Sequence, residues 1–246
     1  MEEFDVLIVS HKKDFNKLTF CIKSIRQYLN GYKDIHIISN EIIDVEGVIC
    51  HYEQDVLKVD KTRIKHKPSW IYQQMLKLLQ TVTRKWYLVI DADTYLNKPL
   101  NVFENNKPII FNGIYPVSQD GYFLFSEKYF NVSRVYPETF VCEIMLFNQD
   151  IVKEMFESNG YLTIQDKVNL FYEAIDSEYF ISEFELYGNY VEKTRPELYI
   201  KKTIYGRHWL AIGENYWNNK TIQEFIDKNP DSDIISTHSM NHNNFL

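Results

Sequence analysis

Two aspartates stand at the end of an apolar run: Trp86-Tyr87-Leu88-Val89-Ile90 leads into Asp91-Ala92-Asp93-Thr94. Carboxylates spaced i, i+2 after a strand leave the sheet at the edge where parallel α/β folds place their ligands. Their hard oxygens suit Mg²⁺ or Mn²⁺, and such an ion would neutralise a diphosphate. The same residues also read as an Asp-rich turn capping the next segment. Further along, Ser182-x-x-Glu185 ahead of an apolar stretch is a capping box. Glu185 then has a structural duty, while Glu183 stands at the first helical position, where the helix dipole keeps a carboxylate ionised. That setting suits a general base taking a proton from a hydroxyl, and equally suits plain dipole complementarity. Glu143 lies in the apolar run Phe140 to Phe147, and a half-buried carboxylate there needs a partner or a chemical role.

A helix from about Trp70 to Thr81 should precede the aspartate strand. Trp70, Gln74 and Lys77 recur at i, i+4, i+7 and share a face, with Gln73 beside them. Ile71, Met75, Leu78 and Val82 form the opposite, core-facing stripe. The amide-and-ammonium face either points at a ligand or is solvated; an exposed Trp70 favours the ligand.

The elements that must position these residues alternate in the first half. Phe4 to Ser10 reads as a buried strand, and Asp14 is placed to cap a helix through Leu18, Ile22, Ile25 and Leu29 that stops at Gly31. Ile35 to Ser39 and Val48 to Tyr52 follow as strands, then the helix after Pro68, then Trp86 to Ile90. Short links between alternating strands and helices imply right-handed crossovers and a mainly parallel sheet. In the second half, Ile109 to Ile114, Tyr122 to Ser126 and Phe140 to Phe147 read as strands. Asp150 should cap a helix ending near Gly160, and helices follow from about Gln165 and Ser182. Tyr199 to Tyr205 and Ile234 to His238 read as late strands. Nothing marks a domain break, so residues 1–246 are expected to form one α/β domain.

Composition narrows the chemistry. The 246 residues are 45% hydrophobic and 25% charged, values of an ordinary globular chain. The formal charge of −7 argues against nucleic acid as a partner. Only 8 glycines are present, with neither G-x-G-x-x-G nor a P-loop, so a Gly-rich phosphate cradle is not expected. The 3 cysteines fit no disulfide framework or zinc ribbon and suggest a reducing compartment. With an acidic N-terminus and no long apolar segment, the expectation is a cytoplasmic protein, at most in peripheral contact with a membrane.

Taken together, Ser69-Trp70-Ile71-Tyr72-Gln73-Gln74-Met75-Leu76-Lys77, the strand ending Asp91-Ala92-Asp93-Thr94, the run around Glu143 and Ser182-Glu183-Phe184-Glu185-Leu186-Tyr187-Gly188-Asn189-Tyr190 resemble the GT-A-fold glycosyltransferases. They look most like a bacterial polysaccharide-type group long labelled a domain of unknown function. The resemblance spans Phe4 to about Tyr190. It implies transfer of a sugar from a UDP- or GDP-linked donor to a glycan or glycolipid acceptor, with Asp91 and Asp93 holding Mn²⁺ or Mg²⁺. It further implies a nucleotide-binding half over 1–100, an acceptor-binding and catalytic half over 101–246, and Glu183 as base. His11 and Lys12, past the first strand, lie where this fold class meets base and ribose; a solvated loop is the plain reading. A late histidine completes the metal site in many such enzymes, here His238 or, in Gly206-Arg207-His208-Trp209, His208; Arg207 is placed for the diphosphate. Three other classes stay open. Haloacid-dehalogenase-type phosphatases also use Asp-x-Asp-x-Thr, although the motif opens their domain and about ninety residues precede it here. A sugar nucleotidyltransferase would need a basic Gly-rich loop, and an inactive carbohydrate-binding protein would need no base.

Overall fold

β1 (Phe4–Ser10) is apolar and buried along nearly its whole length because helices cover both faces of the sheet it centres. The computed structural model describes residues 2–65, 67–114, 121–177, 179–208 and 218–236. After β1 come α1 (Phe15–Tyr28), β2 (Tyr32–Ser39), β3 (Ile49–Tyr52), the short α2 (Glu53–Val56), α3 (Pro68–Leu79) and β4 (Trp86–Ile90). β5 (Thr94–Leu96), β6 (Phe103–Glu104) and β7 (Lys107–Asn112) precede α4 (Gly121–Phe130), β8 (Ile144–Asn148), α5 (Gln149–Glu157), α6 (Ile164–Asp176) and α7 (Glu183–Thr194). β9 (Ile200–Thr203), β10 (Gly206–His208), α8 (Asn219–Lys228) and β11 (Ile234–Ser236) follow.

The main sheet has the order β3-β2-β1-β4-β8, parallel except for β8, which runs against β4 with Ile90 opposite Ile144. The chain is thus a mixed α/β fold with a mainly parallel sheet, as its strand–helix alternation predicts. Two three-stranded sheets, β10-β11-β5 and β6-β7-β9, flank it. One hydrophobic cluster runs from Phe4 to Ile234 through both halves of the chain, and Tyr95, Ile222 and Ile235 form a smaller one under α8.

Several local expectations give way. Residues 122–126, expected as a strand for their aromatics, belong to α4: the stretch continues through Tyr129 and Phe130, and Phe125 packs on Tyr129, Phe130 and Phe171 with ring centroids 5.4 to 6.2 Å apart. The strand expected from Phe140 starts only at Ile144, because Glu143 takes a left-handed backbone (φ 62°) that no strand continues through. Asp14 makes no side-chain cap, and α5 is capped by Asn148 rather than Asp150, its carbonyl accepting from Asp150 N at 3.0 Å and Ile151 N at 3.4 Å. The box at Ser182 is half formed. Its hydroxyl accepts from Glu185 N at 3.3 Å, but the Glu185 carboxylate accepts from Phe140 N (2.9 Å) and Thr139 Oγ1 (2.6 Å). A long-range tie therefore replaces the local one. The reciprocal box forms instead at Thr163 and Asp166.

Candidate functional site

β4 ends at Ile90, and Asp91 opens a tight turn closed by Thr94 N donating to Asp91 O at 3.0 Å. Asp91 N donates to Glu143 O, also at 3.0 Å, so the bend at Glu143 fixes the start of the aspartate turn. Asp91 and Asp93 are half-buried and Ala92 is buried between them. Both carboxylates lie close enough to the buried Cys21 thiol to raise its pKa, behind burial itself as the main cause. The turn thus carries two half-buried hard-oxygen donors just past the carboxyl end of β4.

α3 supplies the charge opposite them. Lys77 was expected on an exposed polar face, yet it is buried, because α3 is enclosed by β1, α6 and α7 and both its faces are covered. Its ammonium donates to Asp91 Oδ1 at 2.6 Å and Glu183 Oε1 at 2.5 Å, and sits 4.7 Å from the centre of the Phe184 ring. Burial works against the Lys77 charge, but the two carboxylates outweigh it and its pKa rises. Burial pushes the Glu183 carboxyl up, against the pull of Lys77. Lys77 thereby joins the aspartate turn to the first residue of α7. Tyr122 on α4 closes this side; burial, then the charges of Glu183 and Glu185, push its phenol up to about 12.

Gln74 lies one turn before Lys77 on the same face, 1% exposed, and neither its Nε2 nor its Oε1 has a hydrogen-bond partner. The hydroxyls of Ser39, at the carboxyl end of β2, and of Thr94, after the aspartates, are likewise buried and unpartnered. An orphaned buried polar group costs about 1–3 kcal/mol, so three of them along one sheet edge mark where a polar ligand belongs. Sequence reasoning missed Ser39 and Thr94 as site residues; for Ser39 a hydroxyl closing an apolar strand is the available signal, and it is weak.

The other expected residues are dispersed around this edge. Gln73 donates to Val9 O at 3.1 Å and so ties α3 to the end of β1. Trp70 is half-buried, its ring 5.8 Å from the Lys67 ammonium, rather than exposed. His11 follows β1 and its Nδ1 accepts from Lys13 N at 3.2 Å, capping a short 3-10 turn, while Lys12 pairs with Glu41 at 2.5 Å on the surface. Glu143 is 3% exposed, and a Cβ added at Gly206 would lie 3.9 Å from its Oε2. Arg207 and His208 lie on β10, which pairs with β11 and through it with β5, the strand leaving the aspartates. His238 lies outside the described residues.

A different group of potential metal ligands, Asp5, Asp34 and His36, gathers toward the amino ends of β1 and β2. Arg84 already pairs with both of these carboxylates, at 2.6 Å from Asp34 Oδ2, which makes the group an ion-pair network at the far end of the sheet.

No family model matches the sequence, and none of the curated proteins matches it. Solved structures similar to it include three glycosyltransferases. Mouse xyloside xylosyltransferase 1 is 10% identical, covering 98% of this chain and 99% of its own, with a TM-score of 0.45. The bifunctional glycosyltransferase WbbM is 15% identical over 95% of this chain and 45% of its own (TM-score 0.44). GlyE of Streptococcus pneumoniae TIGR4 is 13% identical over 96% and 54% (TM-score 0.43), so this chain spans about half the length of the latter two. Identities this low leave the site residues to be judged on their own geometry. Among the described residues no helix is long and apolar enough to cross a membrane.

Proposed function

We propose that the protein is a glycosyltransferase that moves a sugar from a nucleoside-diphosphate donor to a glycan hydroxyl, in the making of a surface polysaccharide. The observation that carries this reading is the Asp91–Lys77–Glu183 bridge at the carboxyl end of β4. It gathers the strand-end Asp91 and the buried Glu183 around one ammonium, which supports a charged, ligand-binding site there. The nucleoside is assigned to the ends of β1 and β2, beside His11, Lys12 and Ser39, and the diphosphate to Asp91, Asp93 and Arg207. Lys77 is already balanced by two carboxylates, so a diphosphate there requires added positive charge. Asp91 and Asp93 are the residues that would hold Mn²⁺ or Mg²⁺, which when bound supplies that charge and eases departure of the diphosphate. His238 is assigned as a third ligand.

In this reading Glu183 accepts the proton of the attacking hydroxyl, its carboxylate oriented by Lys77 and by the start of α7. Direct attack of that hydroxyl on the anomeric carbon inverts its configuration. Glu143 is the alternative carboxylate, supported by its left-handed backbone beside Asp91, since strained residues gather at active sites.

The test is a thermal-shift titration with UDP and GDP in Mn²⁺ and in EDTA. Stabilisation that needs the metal and is lost in a folded Asp93→Ala variant is expected. Equal stabilisation in EDTA would overturn the metal-dependent reading, and release of phosphate from simple phosphoesters would point to the phosphatase class.

A further inference from the structure

At this edge Gln74 buries a whole amide head, both Nε2 and Oε1, without a partner. An amide offers two N–H donors and a carbonyl acceptor, and none of them is used. Nothing local explains it. The neighbouring Gln73 ties α3 to β1, Tyr87 OH anchors the end of α3 by donating to Lys77 O at 3.0 Å, and Met75 and Leu78 fill the core. A methionine or leucine would fit the same volume with no orphaned groups, so the fold alone gives no reason for an amide.

Its place and chemistry narrow what it meets. On α3 the neighbouring Gln73 reaches Val9 O near the carboxyl end of β1 and Lys77 reaches Asp91 just past the end of β4, so Gln74 lies between two contacts to the carboxyl edge. A phosphate only accepts hydrogen bonds and would leave the carbonyl orphaned next to its own negative charge. A sugar hydroxyl both donates and accepts, and a pair of neighbouring hydroxyls matches the two ends of an amide.

We infer that the Gln74 amide is the donor-sugar reader of this site, hydrogen-bonding ring hydroxyls of the sugar that the nucleoside diphosphate carries. This rests on the glycosyltransferase reading and adds to it the part of the donor that is recognised. A site built to bond a hydroxyl rejects ligands lacking it strongly, because its own buried groups are then left unpaired. Ligand-free Gln74 is in that unpaired state, so replacing it should stabilise the empty protein while weakening only ligands that carry the sugar.

The experiment compares UDP with UDP-glucose, UDP-galactose and UDP-N-acetylglucosamine, and GDP with GDP-mannose, by calorimetry in Mn²⁺. Wild type, Gln74→Met and Gln74→Leu are measured, with the melting temperature of each ligand-free protein. Wild type should bind at least one sugar nucleotide about tenfold or more tightly than its bare nucleotide. Both variants should lose that difference, keep the affinity for the bare nucleotide, and melt at or above the wild-type temperature. A difference that survives in the variants overturns the inference, as does a wild type that binds sugar nucleotide and bare nucleotide equally. Loss of transfer with donor binding intact would move the amide to the acceptor and likewise overturn it. Failure of wild type to bind any of these nucleotides would instead overturn the glycosyltransferase reading on which it stands.

Discussion

Lys77 carries one charge against two carboxylates, so its removal would leave the buried Glu183 and the half-buried Asp91 without their cation. Breaking a buried ion pair from one side costs about 3–5 kcal/mol, and Lys77→Met should lower stability by that order in urea unfolding. The deficit should also depend on pH. Burial raises the Glu183 carboxyl in the folded protein, so its contribution is present below the unfolded value and lost as pH rises through the folded one. Without the ammonium that loss deepens, and Lys77→Met should be less destabilised near about pH 5 than near about pH 8. A deficit independent of pH would show that Lys77 acts through packing alone. For Glu183 itself, Glu183→Gln should lower kcat by about 10²–10⁴ with donor binding retained, the range for general-base catalysis. Near-normal turnover in that variant would pass the role to Glu143.

α7 carries Glu183, and its position depends on a close approach. Gly188 lies against the Phe140 ring so tightly that an added Cβ would fall 2.3 Å from it. Phe140 N in turn donates to Glu185 at 2.9 Å, which ties segment 140–143 to the first turn of α7. Alanine is the better helix former by about 1 kcal/mol, yet overpacking here should outweigh that gain. Gly188→Ala is expected to cost about 1–3 kcal/mol and to lower activity, and Phe140→Leu in the same chain should restore part of both. Urea midpoints of the two singles and the double decide it; additive losses would mean that the ring is not the obstacle.

Across the molecule the sheet separates two polar clusters. At the amino ends, Arg84, Asp5 and Asp34 surround His36, whose Nδ1 lies 2.9 Å from His51 Nε2 on β3. Burial is the main cause lowering the pKa of both histidines. Groups with depressed folded values contribute stability above the unfolded value and lose it as pH falls through the folded one. The protein should therefore weaken as pH drops below about 6.5, and His36→Gln should flatten that slope in urea midpoints taken across the range. The same variant should leave the Mn²⁺-dependent shift with UDP unchanged, because the cluster lies at the other end of the strands. A lost shift would relocate the metal to the amino-end cluster.

The periodic signals of the sequence determined the alternating first half, its parallel sheet and the position of Asp91 and Asp93 at a strand end. Apolar alternation and helical spacing are local properties, and β1, α1, β2, α3 and β4 follow from them. The sequence also named Gln74, Lys77 and Glu183, but with the wrong environment for two of them. Helical spacing says which residues share a face, not whether another helix covers it, and α7, over a hundred residues on, covers the face of α3 that carries Lys77. Glu185 shows the same limit, for its capping partner is local while Phe140 N, its actual donor, comes from a distant loop. The left-handed Glu143, the helical α4 and the orphaned hydroxyls of Ser39 and Thr94 were decided by tertiary packing alone. Backbone strain, burial and an unmade hydrogen bond exist only once remote segments have closed around a residue.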